Sequence, residues 1–226
     1  MANIDEKKII DDFHKNGFAI VNANLHHLDY IKDFIKIFTK KNLIKDYNNE
    51  DFDYLNFYHK KSSIKDLNHN RLEIINKINK SKKFRNCFYL LFKDYLDIIV
   101  GNELVMQKRL SLSIQLPKDN SSLLPIHSDV WSGDSPFEVV TWLPLVNVYK
   151  TKSMYLLPPK HLDKLDKIFA KDKFISSDEL YKKLKKYVVW INLKYGQAII
   201  FNQMLPHGNI VNKEKETRWT INCRFK

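Results

Sequence analysis

Two periodicities divide this chain. Up to about residue 100 apolar side chains recur every three or four positions, the spacing that gathers them on one helix face; from Arg109 onward they recur every second position, as on a strand. Ile9, Ile10 and Phe13 predict an amphipathic helix over 5–15 with Asn16-Gly17 as its stop, and Phe18-Ala19-Ile20-Val21 predicts a strand. Leu28, Ile31, Phe34, Ile35 and Phe38 predict a second helix over about 26–40. The polar, Asn-rich stretch 46–70 reads as loop, with Tyr54, Phe57 and Tyr58 either packing down onto the core or lining a cleft. Two further helices are expected over 71–80 and 82–98, the latter carrying Phe88, Tyr89, Leu91 and Phe92.

The period-two half yields strand candidates at 109–116, 124–131, 137–146, 153–157, 187–193, 197–203, 207–211 and 216–225. Eight strands are the complement of a jelly roll. Tyr195-Gly196 reads as a tight turn, Ser132-Gly133-Asp134-Ser135-Pro136 as a mobile loop, and 159–186 as a helical insert. Ser176-Ser177-Asp178-Glu179 would cap a Lys-rich helix in that insert, either a solvated surface helix or a lid. The expected class is therefore α+β with a mainly β core: a double-stranded β-helix (jelly roll) with N-terminal helices packed outside. One domain is expected over 1–226, mainly helical over 1–100, with the core at 109–226.

Composition narrows the setting. A chain of 226 residues, 44% hydrophobic and rich in Phe and Tyr, can build a core large enough to enclose a pocket. Cys87 and Cys223 lie far apart without a CxxC, which suggests neither a disulfide framework nor a zinc ribbon and fits a reducing cytoplasm. The start, Met-Ala-Asn-Ile-Asp-Glu-Lys-Lys, has no signal-peptide core, and no apolar run would span a bilayer. The net charge of +12 raises nucleic acid as a partner. Only Arg71, Arg85, Arg109, Arg218 and Arg224 among 38 basic residues are arginines, however, so the bidentate donors that read bases are scarce. A small anionic substrate is the milder use of that charge; oligomeric state stays open.

The candidate chemistry lies in His127-Ser128-Asp129, His207 and Arg218. On a strand, residues i and i+2 project from one face, so His127 and Asp129 can grip one ion while Ser128 points away. His207 follows the apolar run Ala198-Ile199-Ile200-Phe201, and Gly208 beside it permits close approach. Two imidazoles and one carboxylate form the facial triad of non-haem Fe(II) oxygenases, with three positions left for a chelating oxo-acid and O₂. The tail Thr217 to Phe225 alternates polar with apolar, placing Arg218, Thr220, Asn222 and Arg224 on one face. If that face points inward, Arg218 needs an anion, and the distal carboxylate of 2-oxoglutarate matches its planar fork, with Thr220 as a further donor. The competing readings are a chance His-x-Asp pair in a chain with eight His, and an exposed cationic edge strand.

With these motifs in place the chain resembles the phytanoyl-CoA dioxygenase-like branch of the Fe(II)/2-oxoglutarate oxygenases. The resemblance runs through Asp12-Phe13-His14-Lys15-Asn16-Gly17, Thr141-Trp142-Leu143-Pro144-Leu145, Met154-Tyr155-Leu156-Leu157-Pro158, Gly196-Gln197-Ala198-Ile199-Ile200-Phe201, and Arg218 eleven residues beyond His207. Pro125-Ile126-His127-Ser128-Asp129-Val130-Trp131 is similar to bacterial members encoded among carbohydrate and surface-polysaccharide genes. The resemblance implies that His127, Asp129 and His207 bind iron and that Arg218 holds 2-oxoglutarate, aided by Thr220 and by Gln115 or Ser113. It implies consumption of O₂, release of CO₂ and succinate, and hydroxylation or a related oxidation of a small substrate, a sugar or sugar-nucleotide in one version. Trp131, Asp134, Trp142, Tyr155, Asn202 and Asn209 are the substrate-pocket candidates. Pro158-Pro159-Lys160-His161 and Ile126 depart from the family pattern, at positions that bear on substrate. Two alternatives are an AlkB-type nucleobase dealkylase, from the Arg218/Arg224 spacing, and a non-catalytic cupin-like sugar-binding module.

Overall fold

The computed structural model describes residues 4–43 and 53–226. Its helices begin and end where local chemistry dictates. α1 (Glu6–Asn16) is capped by Asp5, whose carboxylate accepts the Lys8 amide at 3.0 Å, and ends at Gly17, whose φ of +74° is the left-handed turn only glycine enters cheaply. β1 (Phe18–Asn22) and α2 (Leu25–Leu43) follow. Ser63 caps α3 (Ile64–Lys80) and Ser81 caps α4 (Lys82–Ile99), each accepting an amide three residues on.

The second half contains β2 (Ser111–Gln115), β3 (Val139–Pro144) and β4 (Tyr155–Leu156), the helices α5 (Leu162–Lys171) and α6 (Ser177–Leu184), then β5 (Val189–Trp190), β6 (Gln197–Asn202), β7 (His207–Gly208) and β8 (Arg218–Phe225). They form a five-stranded sheet in the order β1-β6-β3-β8-β2 and a three-stranded sheet in the order β5-β4-β7, with every pair antiparallel.

Alternation along each strand sorts the side chains into layers. Leu112, Ile114, Leu143, Ile200, Trp219, Ile221 and Cys223 pack against α1 to α4 on the outer face of the larger sheet. Its inner face sends Val140, Trp142, Ile199 and Phe201 against Met154, Leu156, Ile191 and Leu193. Beyond the smaller sheet, Tyr155 and Leu157 meet Leu165, Leu180 and Leu184 of α5 and α6. The order is helices, large sheet, small sheet, helices. No described helix is long and apolar enough to cross a membrane.

Several expectations need correction. The 124–131 segment is no strand: it makes a single antiparallel bridge, His127 to His207, then turns into a 3-10 helix over Asp129–Ser132 that ends at Gly133, φ +96°. The expected loop over 46–70 lies partly outside the described residues, and from Ile64 it is helix, because Leu67, Ile74 and Ile78 keep helical spacing beneath the Asn-rich surface. The core does not begin at 109: β1 pairs along β6, Phe18 opposite Phe201, and so belongs to the larger sheet. The strands expected over 187–193 and 207–211 shorten to two residues each. Tyr58, by contrast, packs edge-on against the Trp219 ring at 4.9 Å.

Candidate active site

β8 organises the site. Both sheet neighbours, β2 and β3, are in register with it, so Trp219, Ile221 and Cys223 are fixed against the helices, and Arg218, Thr220, Asn222 and Arg224 face inward. All four line a cavity of about 210 Å³ between the sheets, together with His127, Asp129 and His207. Val140, Trp142, Met154 and Phe201 give it an apolar wall.

The triad is assembled by the bridge between two chain segments. The His127 amide donates to the His207 carbonyl at 2.9 Å and the reverse bond is 2.8 Å, which sets the two rings 4.3 Å apart. One ligand atom from each of His127, Asp129 and His207 lies within 4.8 Å of the others, and His127 Nε2 is 3.6 Å from Asp129 Oδ1. The backbone carbonyl of Pro125 lies 2.8 Å from His127 Nδ1, and that of Leu205 lies 2.8 Å from His207 Nδ1. Carbonyls only accept, so both rings carry a proton on Nδ1 and turn Nε2 toward the space they share with Asp129, the atom a metal would take. Burial, then the neighbouring His127, holds His207 well below the usual histidine range, which keeps the ring neutral. Ser128 turns away and donates to the carbonyls of Gln203 and Met204.

Arg224 was not expected as part of this group. Its Nη2 lies 3.1 Å from Asp129 Oδ2 and 3.4 Å from Asp134, and its Nε donates to Gln203 Oε1 at 3.0 Å. One carboxylate oxygen of Asp129 is thereby tied, and Oδ1 is turned toward the histidines. The available signal was the polar face of β8, but only the three-dimensional structure supplies its partner. The Arg218/Arg224 spacing thus has a local explanation that involves no nucleobase.

Arg218 is a buried cation in the same cavity. It is 2% exposed, donates from Nη1 to the Ser153 carbonyl at 3.1 Å and from Nη2 to Ser113 Oγ at 3.2 Å, and leaves Nε without a partner. No carboxylate among the described residues pairs with it. Burial lowers its pKa to about 10, so it is still charged at neutral pH. A buried guanidinium served only by neutral oxygens and open to a cavity has the charge and the free donor to receive an anion. Ser113 and Thr220 are opposed in the β2–β8 register and share that cavity. Gln115 does not line it; its amide donates to the Ile210 carbonyl at 2.8 Å.

The six pocket candidates separate. Trp142 and Asn209 line the cavity, and Asn209 Oδ1 accepts the Leu124 amide at 2.8 Å. Asp134 is bound to Arg224, and Trp131 packs edge-on against Phe169 of α5 at 5.5 Å. Tyr155 lies on the outer face of the small sheet, stacked on Tyr181, and Asn202 accepts the Met204 amide in a turn. Neither of these two lines the cavity. Gly208 is required by crowding: a Cβ there would sit 2.8 Å from the Leu124 carbonyl oxygen and 2.7 Å from the Tyr155 hydroxyl.

No family model matches the chain, and no curated protein sequence matches it. Solved structures do match. AviO1 from Streptomyces viridochromogenes Tue57 is 16% identical, with all of this chain and 96% of that one covered at a TM-score of 0.61. SnoN, a non-heme alpha-ketoglutarate-dependent epimerase from nogalamycin biosynthesis, is 11% identical, with 98% and 82% covered at 0.55. ThoJ, a non-heme monooxygenase solved as a nickel complex, is 16% identical, with 96% and 76% covered at 0.52. The likeness is one of fold.

Proposed function

We propose that this chain is an Fe(II)- and 2-oxoglutarate-dependent dioxygenase of the phytanoyl-CoA dioxygenase-like kind. On this reading it is a single double-stranded β-helix domain that works in the cytoplasm and hydroxylates or otherwise oxidises a small anionic substrate, a sugar or sugar-nucleotide. The observation that carries it is the buried, uncompensated Arg218 in the same cavity as two Nε2 donors and one carboxylate.

The donor set fits a ferrous ion: His127, His207 and Asp129 would hold it with two imidazole nitrogens and one carboxylate oxygen, the combination that leaves such an ion able to take an oxo-acid and O₂ as well. Bound iron would couple oxidative decarboxylation of 2-oxoglutarate by O₂, giving succinate and CO₂, to insertion of the other oxygen atom into a C–H bond. The protein's share is positional. Arg218 receives the distal carboxylate as a charge-assisted fork, Ser113 and Thr220 flank it, and Val140, Trp142, Met154 and Phe201 keep water from the reacting face. Because Asp129 is a carboxylate ligand rather than an absent one, no position is freed for halide.

Anaerobic addition of Fe(II) and 2-oxoglutarate should produce a weak visible charge-transfer band. His127→Ala should abolish it, and Arg218→Ala should raise the 2-oxoglutarate concentration needed for half-saturation by roughly tenfold or more, the loss expected for a hydrogen-bonded charge. No band in the wild-type protein, or an unchanged band in His127→Ala, overturns the reading.

A further inference from the structure

Beside the metal cavity lies a second one of about 500 Å³. It runs between the N-terminal half of α3 and β2, the edge strand of the larger sheet, with Ser121 to Leu124 as its third wall. The two cavities share Ser113, Leu124, Asn222 and Arg224. This common wall matters because Ser113 accepts from Arg218 and Arg224 holds Asp129. A molecule in the second cavity therefore reaches the groups that flank both the oxo-acid anchor and the metal ligands.

The chemistry of its walls is selective. No Asp or Glu lines it among the described residues, whereas Asn68, Ser111, Ser121, Ser122 and Asn222 do. The hydroxyls of Ser121 and Ser122 donate to the buried Asp119 carboxylate at 2.6 and 2.7 Å, so their oxygens are left as acceptors for hydroxyl groups of a ligand. Arg71, on α3, is held by one bond to Asn68 Oδ1 at 2.8 Å and has no carboxylate partner among the described residues. Its remaining guanidinium donors can serve an anion, and the chain's charge of +12 favours anion approach.

We propose that this cleft binds the substrate to be oxidised, and that the substrate is a polyhydroxylated molecule bearing one anionic group, phosphate or carboxylate, received by Arg71. The hydroxylated body lies along the Ser and Asn wall, and the carbon to be oxidised meets the shared wall. The proposal rests on the oxygenase reading but assigns a site and a ligand class that the triad alone does not.

The test is calorimetric titration of the 226-residue chain, loaded anaerobically with Fe(II) and 2-oxoglutarate, with glucose 1-phosphate, glucuronic acid, glucose and inorganic phosphate. A charged sugar should bind at least about tenfold more tightly than glucose or phosphate alone, and the tighter of the two identifies the anionic group. Arg71→Gln should reduce its affinity about tenfold or more, with Arg71→Lys between. Equal binding of glucose and the charged sugars, undiminished binding by Arg71→Gln, or no sugar binding at all overturns the proposal. The charge-transfer band is recorded on the same samples. Its absence counts against the metal reading, whereas a normal band with any of those three results counts against the cleft alone.

Discussion

Arg224 shows how a single side chain decides what a carboxylate can do. Bound on one oxygen, Asp129 cannot rotate freely and presents the other to the two imidazoles. Arg224→Ala should therefore weaken Fe(II) binding by about 10- to 100-fold, the range found when a group that orients a metal ligand is removed. Arg224→Lys should recover part of it. Metal titration monitored by the charge-transfer band checks this, and unaltered affinity would show that Asp129 is held by the backbone alone. That His127, Asp129 and His207 would be brought together was readable in the sequence, because a His-x-Asp pair with a distant His is a short pattern. The choice of partner for Arg224 was not, since it rests on residues 129 and 134 of one turn and residue 203 of a second segment meeting β8.

Among the elements, the sharpest lesson is the contrast between β8 and the 124–131 segment. β8 was legible because one face meets the helices and the other a polar cavity, and such a boundary writes strict alternation into the chain. Residues 124–131 carry a similar pattern, yet their alternation serves one bridge and a turn. The stop lay in Gly133, whose positive φ ends the 3-10 helix. Across from it, the β7 strand depends on Gly208. Gly208→Ala would force the Leu124 carbonyl and the Tyr155 hydroxyl apart, at a cost of about 1–3 kcal/mol for overpacking. The strain falls on the pairing that brings His127 to His207, so both the urea midpoint and the Fe(II) affinity should drop. A loss of stability without a loss of metal binding would separate the two.

For the molecule as a whole, buried acids set the alkaline limit. Burial raises the pKa of the Tyr58, Tyr155, Tyr181 and Tyr195 phenols, and pushes the Cys223 thiol from 9.0 up to about 12. The folded protein keeps protons that the unfolded chain has released, so stability is complete below the unfolded values and falls as pH rises beyond them. Each such group contributes a slope of about 1.4 kcal/mol per pH unit while the two states differ by one proton. Lys152 acts oppositely, because burial lowers its pKa and stability gains with pH as far as 10.5. The urea midpoint should therefore hold to about pH 10, where Lys152 offsets Cys223, and fall steeply between about pH 10 and 12 as the four phenols join, and a flat profile there would contradict the burial of these groups. The α+β class, helices followed by antiparallel sheet, was legible at this scale from the switch of period near residue 100. Sheet order was not, because pairing of β1 with β6 joins residues almost two hundred positions apart and leaves no local trace.

That pairing has a consequence for handling the protein. β1 shields Ala198-Ile199-Ile200-Phe201, and the Gly17 carbonyl accepts the Asn202 amide at 2.9 Å at the end of the same seam. Removing residues 1–23 would bare a short aliphatic ribbon with open backbone donors and acceptors, a template for intermolecular pairing. Such a truncation should elute as aggregates in size-exclusion chromatography, and a synthetic peptide of residues 4–23 supplied in trans should shift it back toward the elution volume of the untruncated chain. A monodisperse truncation product would mean that the ribbon is protected by something other than its N-terminal neighbour.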